Sequence, residues 1–495
     1  MQVEYRTGNY QEAACDLLAY PIFEDEVSEF SALEPLDKIT RKAISSVISS
    51  KEFKAELFQT CKIFRPAGLK AQRLLLVGAG KKSQFEPARL REISGTVVRT
   101  ARSLACRTVS FLCRGIQSAE LAARLAAEGS LYGNYESDLY KTRDKESRDV
   151  EIFQVFFEDS VSRKEVEAGI RYGVIVGDAV NLARTLANEP SNILTPAQFA
   201  ERAQAIGSYA GLSIRIMEQA EMEQLGMNTL LAVSRGSEEP PKMIIMKIGG
   251  DQSKKRGQKP LCALIGKGVT FDSGGISLKP SEKMEEMKGD MAGGAAVLGA
   301  MVALAQLHPQ RSIIGVIPAV ENLPSGKATK PGDVVKSYLG KTVEIINTDA
   351  EGRLILADAI TYARTLGAAQ IIDIATLTGA CVVALGHVNA GMLGTDQKTI
   401  DRLRNNCKIT GEGLWQLPID DAYRKALRSD IADMKNVGDR WGGAITAAKF
   451  LQEFVEDTPW VHLDIAGMDI DSEGRPFACK GATGFGVRTL VQLLA

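Results

Sequence analysis

Apolar residues along the chain fall into runs of strand length, separated by longer stretches in which they return with helical spacing. In the first third, Leu74-Leu75-Leu76-Val77-Gly78, Thr108-Val109-Ser110-Phe111-Leu112 and the mixed segment 150–157 each predict a buried strand. Residues 87–105 and 118–128 between them predict helices, the first opened by Pro87, whose missing N–H costs nothing in a first turn. A helix-compatible stretch without proline runs from 162 to 187. It ends at Asn188-Glu189-Pro190-Ser191-Asn192, followed by Thr195-Pro196, a turn-rich break. Beyond the break, continuous apolar runs at 243–248, 261–265, 313–317, 342–346 and 370–374 predict strands covered on both faces, with helices at 295–307 and 354–365 among them.

This alternation predicts an α/β fold. The 495 residues exceed one domain of roughly 100–200. The expectation is an N-terminal α/β domain over 1–160, a connecting helix over 161–187 and a second domain over 188–495. The second domain should hold a mixed, mainly parallel sheet flanked by helices. Its polar, glycine-rich segments cluster just after the strands, at the edge where open α/β sheets bind ligands. Gly78-Ala79-Gly80 resembles the start of a dinucleotide loop but lacks the third glycine, so it reads as a strand-ending turn.

Composition acts mainly by exclusion. A hydrophobic fraction of 45% with 24% charged residues rules out a disordered or fibrous chain. Sixty basic against 61 acidic residues, a net charge of −1, give no support for nucleic acid or an anionic membrane as the main partner. No uninterrupted apolar stretch approaches the roughly 18 residues of a membrane span, and the first residues lack the layout of a secretory signal. Eight scattered cysteines without a Cys-x-x-Cys pair fit free thiols, and the expected location is the cytoplasm. His308, His387 and His462 show no metalloprotease spacing; like Trp415, Trp441 and Trp460, they read as structural. There is no Walker-type phosphate loop and no Gly-x-Ser-x-Gly elbow.

Two polar segments carry the candidate chemistry. One runs from Gly266-Lys267-Gly268 through Asp272-Ser273-Gly274-Gly275 and Lys279-Pro280 to Gly289-Asp290; the other is Asn347-Thr348-Asp349-Ala350-Glu351-Gly352-Arg353-Leu354. Singly, each has a local reading. Thr348-x-x-Glu351 fits a capping box, Asp290 could open a helix, and Asp272 could be a turn aspartate. None of these explains why Lys267, Lys279 and Arg353 gather at the same edge as Asp272, Asp290, Asp349 and Glu351. Those four carboxylates could hold two divalent ions sharing bridging ligands; oxygen-rich ligation suits Mn²⁺ or Mg²⁺, and Zn²⁺ also accepts it.

At these residues the sequence resembles the cytosolic leucyl aminopeptidases, a metallopeptidase family of bacterial type here. Asn347 to Leu354 matches that family's signature octapeptide in full. The resemblance extends through 266–275, Glu321-Asn322-Leu323-Pro324-Ser325-Gly326, Ala375-Thr376-Leu377-Thr378-Gly379 and Gly442-Gly443-Ala444, covering about 188 to the C-terminus.

The resemblance implies a macro-like N-terminal domain and a homohexamer. It implies two divalent ions per subunit (Mn²⁺ or Zn²⁺), one held by Lys267, Asp272, Asp290 and Glu351, the other by Asp272, Asp349 and Glu351. Lys267 would then ligate as a neutral amine with a depressed pKa. A water bridging the ions would attack the peptide carbonyl. Lys279 would stabilise the tetrahedral intermediate, and Arg353 would hold a bicarbonate as general base. Met287 would wall the pocket for the N-terminal side chain, with leucine preferred, and Thr376 and Gly379 would contact bound peptide. Substrates would need a free N-terminus. Two rivals remain at this point: a dinuclear hydrolase of phosphate esters, and a DNA-binding accessory role known among bacterial relatives.

Overall fold

The computed structural model describes residues 1–143, 148–158, 161–249 and 259–495. They form two compact units, one of 1–181 with 472–480, the other of 182–471 with 481–495. The helix Arg163–Asn188 runs from the first into the second.

The first unit is built on a six-stranded sheet in the order Gln2–Thr7, Ile152–Phe157, Thr108–Leu112, Leu17–Ile22, Arg73–Gly78 and Thr60–Phe64. Pairing is parallel except at Thr60–Phe64, which runs antiparallel to its neighbour. Leu17–Ile22 is buried along its whole length, as a strand covered on both faces must be. On one face Leu75, Val77, Phe111 and Phe153 meet Leu90, Ile93, Val97 and Leu125 of the helices Pro87–Ser103 and Ala119–Asn134. On the other, Leu74, Leu76 and Tyr20 meet Leu33, Leu36, Ile44 and Phe53. The returning segment 472–480 belongs to this unit by its contacts: the Phe477 ring packs 5.5 Å from Phe58 and 6.4 Å from Tyr132.

The second unit is built on a nine-stranded main sheet, ordered Leu414–Gln416, Ala390–Gly394, Trp460–Asp464, Gln370–Ala375, Lys259–Gly266, Arg311–Asn322, Lys242–Ile248 and Ser213–Met217, with Gly268–Asp272 added beside Arg311–Asn322. The centre is parallel and the flanks contain antiparallel pairs, so the sheet is mixed. Alternate residues of the central strands serve two cores. Ala263, Ile265, Val316 and Ile371 pack with Leu356, Ile360 and Phe450 of the helices Gly352–Thr365 and Gly443–Val455. The helix Ala292–Leu307 lies against the other face, close enough that a side-chain carbon on Gly266 would meet the Gly293 carbonyl. The stretch Met284–Leu307 is long and apolar enough to cross a membrane, but 78% of its most apolar window is buried within the protein, as in a core helix.

One predicted strand lies elsewhere than expected. The run at 342–346 yields only Thr342–Glu344, in a small separate sheet between Val334–Lys336 and Met434–Lys435. The main sheet instead includes Trp460–Asp464, whose buried His462 and Asp464 disguise it as a polar segment.

Strand ends position the site. Lys259–Gly266 runs between Gln370–Ala375 and Arg311–Asn322, then the chain continues as Gly268–Asp272 along the far end of Arg311–Asn322, Asp272 opposite Asn322. Lys267 sits at this junction, its N–H bonded to the Ile374 carbonyl at 3.1 Å.

Candidate functional site

From the junction the first loop turns on two glycines, Gly274 and Gly275, at φ of 87° and 66°, a conformation that side chains resist. Asp272 anchors the turn. Its Oδ1 accepts from the Gly274 N–H and from Asn322 Nδ2, both at 2.9 Å, and its Oδ2 from Lys279 Nζ at 2.8 Å. The second loop is stitched to the first by Thr348. Its hydroxyl donates to the Gly274 carbonyl at 2.6 Å and accepts from the Ser277 N–H at 2.8 Å, while Asn322 Nδ2 reaches the Thr348 carbonyl at 3.0 Å. The capping box is therefore not formed: Glu351 begins the helix Gly352–Thr365 without a side-chain cap, and its carboxylate turns inward.

There it meets Lys267. The three donors of this buried ammonium go to Glu351 and Asp290, each at 2.7 Å, and to the Thr376 carbonyl at 2.9 Å. Thr376 Oγ1 also donates to Asp290 at 2.7 Å. The glycine after Glu351 is required by packing: a side-chain carbon on Gly352 would stand 2.9 Å from Lys267 Nζ. Lys279 spans the two loops, bonded to Asp272 and, at 2.5 Å, to Asp349. Lys267, Asp272, Asp290 and Glu351 are buried, and Lys279 and Asp349 lie partly open beside them. Arg353 is buried in the first turn of the helix; its Nη1 donates to the Asn436 carbonyl at 2.7 Å, and its Nε has no partner among the described residues.

Burial dominates the electrostatics. It pushes the carboxyl of Asp290 well above the usual range against the pull of Lys267, and raises that of Glu351, with Asp272 adding to the rise. Burial raises the Asp349 carboxyl too, against Lys279. Burial also disfavours the Lys267 ammonium, but Asp290, Glu351 and Asp272 outweigh it and hold its pKa above the ordinary lysine value. The depression expected for Lys267 belongs to a cluster carrying dications; protein charges alone push the other way. Lys279 is raised by Asp272 and Glu351 despite its burial. Arg353 is lowered to about 10, burial outweighing Glu351 and Asp464.

The cluster fits divalent cations on its own chemistry. Asp272, Asp290 and Glu351 each bring a carboxylate oxygen within 4.8 Å of the others. Among the described residues, Asp290 Oδ2 and Glu351 Oε2 are buried without a hydrogen-bond partner, a costly state that a bound cation would relieve.

Of the other expected residues, Met287 lies on the 3-10 turn Met284–Gly289 that leads into Asp290, Thr376 touches the cluster directly, and Gly379 is exposed at the start of the helix Gly379–Leu385. His462 and Trp460 are core residues, both bonded to Asp373 at 2.5 Å, whereas Trp415 and Trp441 are 60% and 72% exposed. Sequence reasoning missed Asn322, Asn436 and Asp464. Asp464 accepts from the Leu377 and Thr378 N–H groups and from the Thr378 hydroxyl, fixing the loop that presents Thr376.

The chain is similar to known proteins in sequence and in fold. Models of the cytosol aminopeptidase family match the chain, that of its catalytic domain over 181–491 and that of its N-terminal domain over 20–144. A probable cytosol aminopeptidase of Solibacter usitatus is 43% identical over 493 residues, spanning 100% of this chain and 99% of that protein. A tomato leucine aminopeptidase mutant superposes with a TM-score of 0.90 at 33% identity, covering 100% of this chain and 96% of that one. The bottromycin maturation enzyme BotP, in complex with Mn, superposes with a TM-score of 0.84 at 33% identity, over 97% and 99%.

Proposed function

The chain belongs to the cytosol aminopeptidase family and is a metallo-exopeptidase acting at the N-termini of peptides; we propose that its working centre is the cluster around Lys267, within the catalytic region 188–495. The observation that carries this reading is the pair of buried, unpartnered carboxylate oxygens on Asp290 and Glu351 beside Asp272. Lys267, Asp272, Asp290 and Glu351 would hold one divalent ion, and Asp272, Asp349 and Glu351 a second, Mn²⁺ or Zn²⁺. Once bound, the ions supply Lewis-acid polarisation of the scissile carbonyl and a water of lowered pKa.

The side chains do the rest. With divalent ions held by Asp290 and Glu351, the ammonium form of Lys267 would be disfavoured, and its neutral amine could serve as a ligand. Lys279 Nζ, relieved of Asp272 and Asp349, donates to the carbonyl oxygen as negative charge develops there. Arg353, fixed through one nitrogen by Asn436, offers the rest of its planar fork to a planar anion such as bicarbonate, which can accept the proton of the attacking water. Met287 gives an adaptable apolar wall for a leucine-like side chain, and Thr376 and Gly379 lie along the peptide. The same family reading carries the homohexamer and the cytoplasmic location.

Leucine p-nitroanilide and its N-acetylated form test the proposal. The free amine should be cleaved and the acylated form refused, with activity lost on stripping of metal and restored by Mn²⁺ or Zn²⁺. Equal cleavage of both forms, or full activity after stripping, overturns it.

A further inference from the structure

One carboxylate near the cluster has no role in the scheme above. Asp469 lies beyond the strand Trp460–Asp464, directly after the turn Ala466-Gly467-Met468. Its Oδ2 faces Gly289, 3.6 Å from where a side-chain carbon on that glycine would stand. Gly289 ends the turn that carries Met287 and precedes Asp290, so the Asp469 carboxylate borders the segment read as the wall for the N-terminal side chain. Backbone N–H groups of Gly467 and of Asp469 itself orient it, and the side-chain charges that act on it are Glu286, on the Met287 turn, and Lys267. No lysine or arginine among the described residues forms an ion pair with it. Burial pushes its carboxyl up to about 6.

A half-buried anion without a counter-ion is unfavourable unless a cation visits it. A long side chain with an aliphatic stem and a charged tip can lay the stem along Met287 and bring the tip to Asp469. We propose that Asp469 is a specificity-determining residue that receives the cationic end of an N-terminal lysine or arginine whose stem rests on Met287. This rests on the peptidase reading of the cluster, and it predicts a preference that an apolar pocket alone would not give.

The experiment compares lysyl and norleucyl p-nitroanilides, which share a stem and differ at the tip. The unmodified, metal-loaded enzyme should favour the lysyl substrate in kcat/KM. Asp469→Asn should lower the lysyl-to-norleucyl ratio about tenfold, the size of one close charge pair. Asp469→Lys should reverse it and admit a glutamyl substrate, a gain that mere misfolding cannot produce. An unchanged ratio overturns the assignment. So does an equal loss on both substrates, which would put Asp469 at the shared α-amino group. Failure of the unmodified enzyme to cleave either substrate would instead sink the peptidase reading.

Discussion

Both units bury charge, and they balance it differently. In the N-terminal unit Glu128, 1% exposed, lies between Arg91 and Arg124 at 3.7 and 2.9 Å, so one buried anion meets two guanidinium groups. In the catalytic unit Asp272, Asp290, Asp349 and Glu351 meet two ammonium groups, and two of their oxygens remain without partners. A closed balance holds helices together; an open one is stability forgone in return for the capacity to bind. The contrast locates function more sharply than burial does, because both clusters bury charge.

Glu351→Ala should sharpen the contrast most. It removes a carboxylate facing both proposed ions, and turnover should fall by more than about a thousandfold. Circular dichroism should show the fold retained, since Lys267 keeps Asp290, while the rise in unfolding temperature on adding Mn²⁺ should vanish. Retained activity would break the assignment. Lys279→Ala comes next, with kcat lower by about a hundredfold and KM moving much less, as expected of a donor whose bond strengthens in the transition state. Steady-state kinetics with unchanged kcat would deny it that part. The smallest effect lies in the other unit. Glu128→Gln should lower unfolding stability by about 2 kcal/mol in denaturant melts, because Arg91 and Arg124 would meet a neutral amide in place of a carboxylate. Mn²⁺ affinity should stay unchanged; a loss of Mn²⁺ affinity would erase the distinction between the two kinds of buried charge.

The convergence of the two polar loops could be read from residues alone because each follows an apolar run and concentrates acid, base and glycine within a few positions. Lys267 and Glu351 are 84 positions apart in the chain yet separated by 2.7 Å, which strand ends at one edge of a sheet make natural. Isolated polar residues left no such trace. Asn322 ends a strand whose middle is buried and apolar, and Asn436 and Asp469 sit in loops without periodicity; only the folded chain shows what each touches. Trp460–Asp464 escaped for the same reason in reverse, since its His462 and Asp464 break the apolar run that marks a central strand. The stretch after Lys341 was misplaced because an apolar run of strand length does not say which sheet will take it.

The return of 472–480 to the first unit has a consequence for anyone wishing to cut the molecule in two. The polypeptide crosses from one body to the other, goes back, and crosses again, so no single scissor point yields two whole pieces. A fragment starting near residue 182 would carry Phe477 as an orphan aromatic, stripped of Phe58 and Tyr132, on a tether between Asp471 and Gly481.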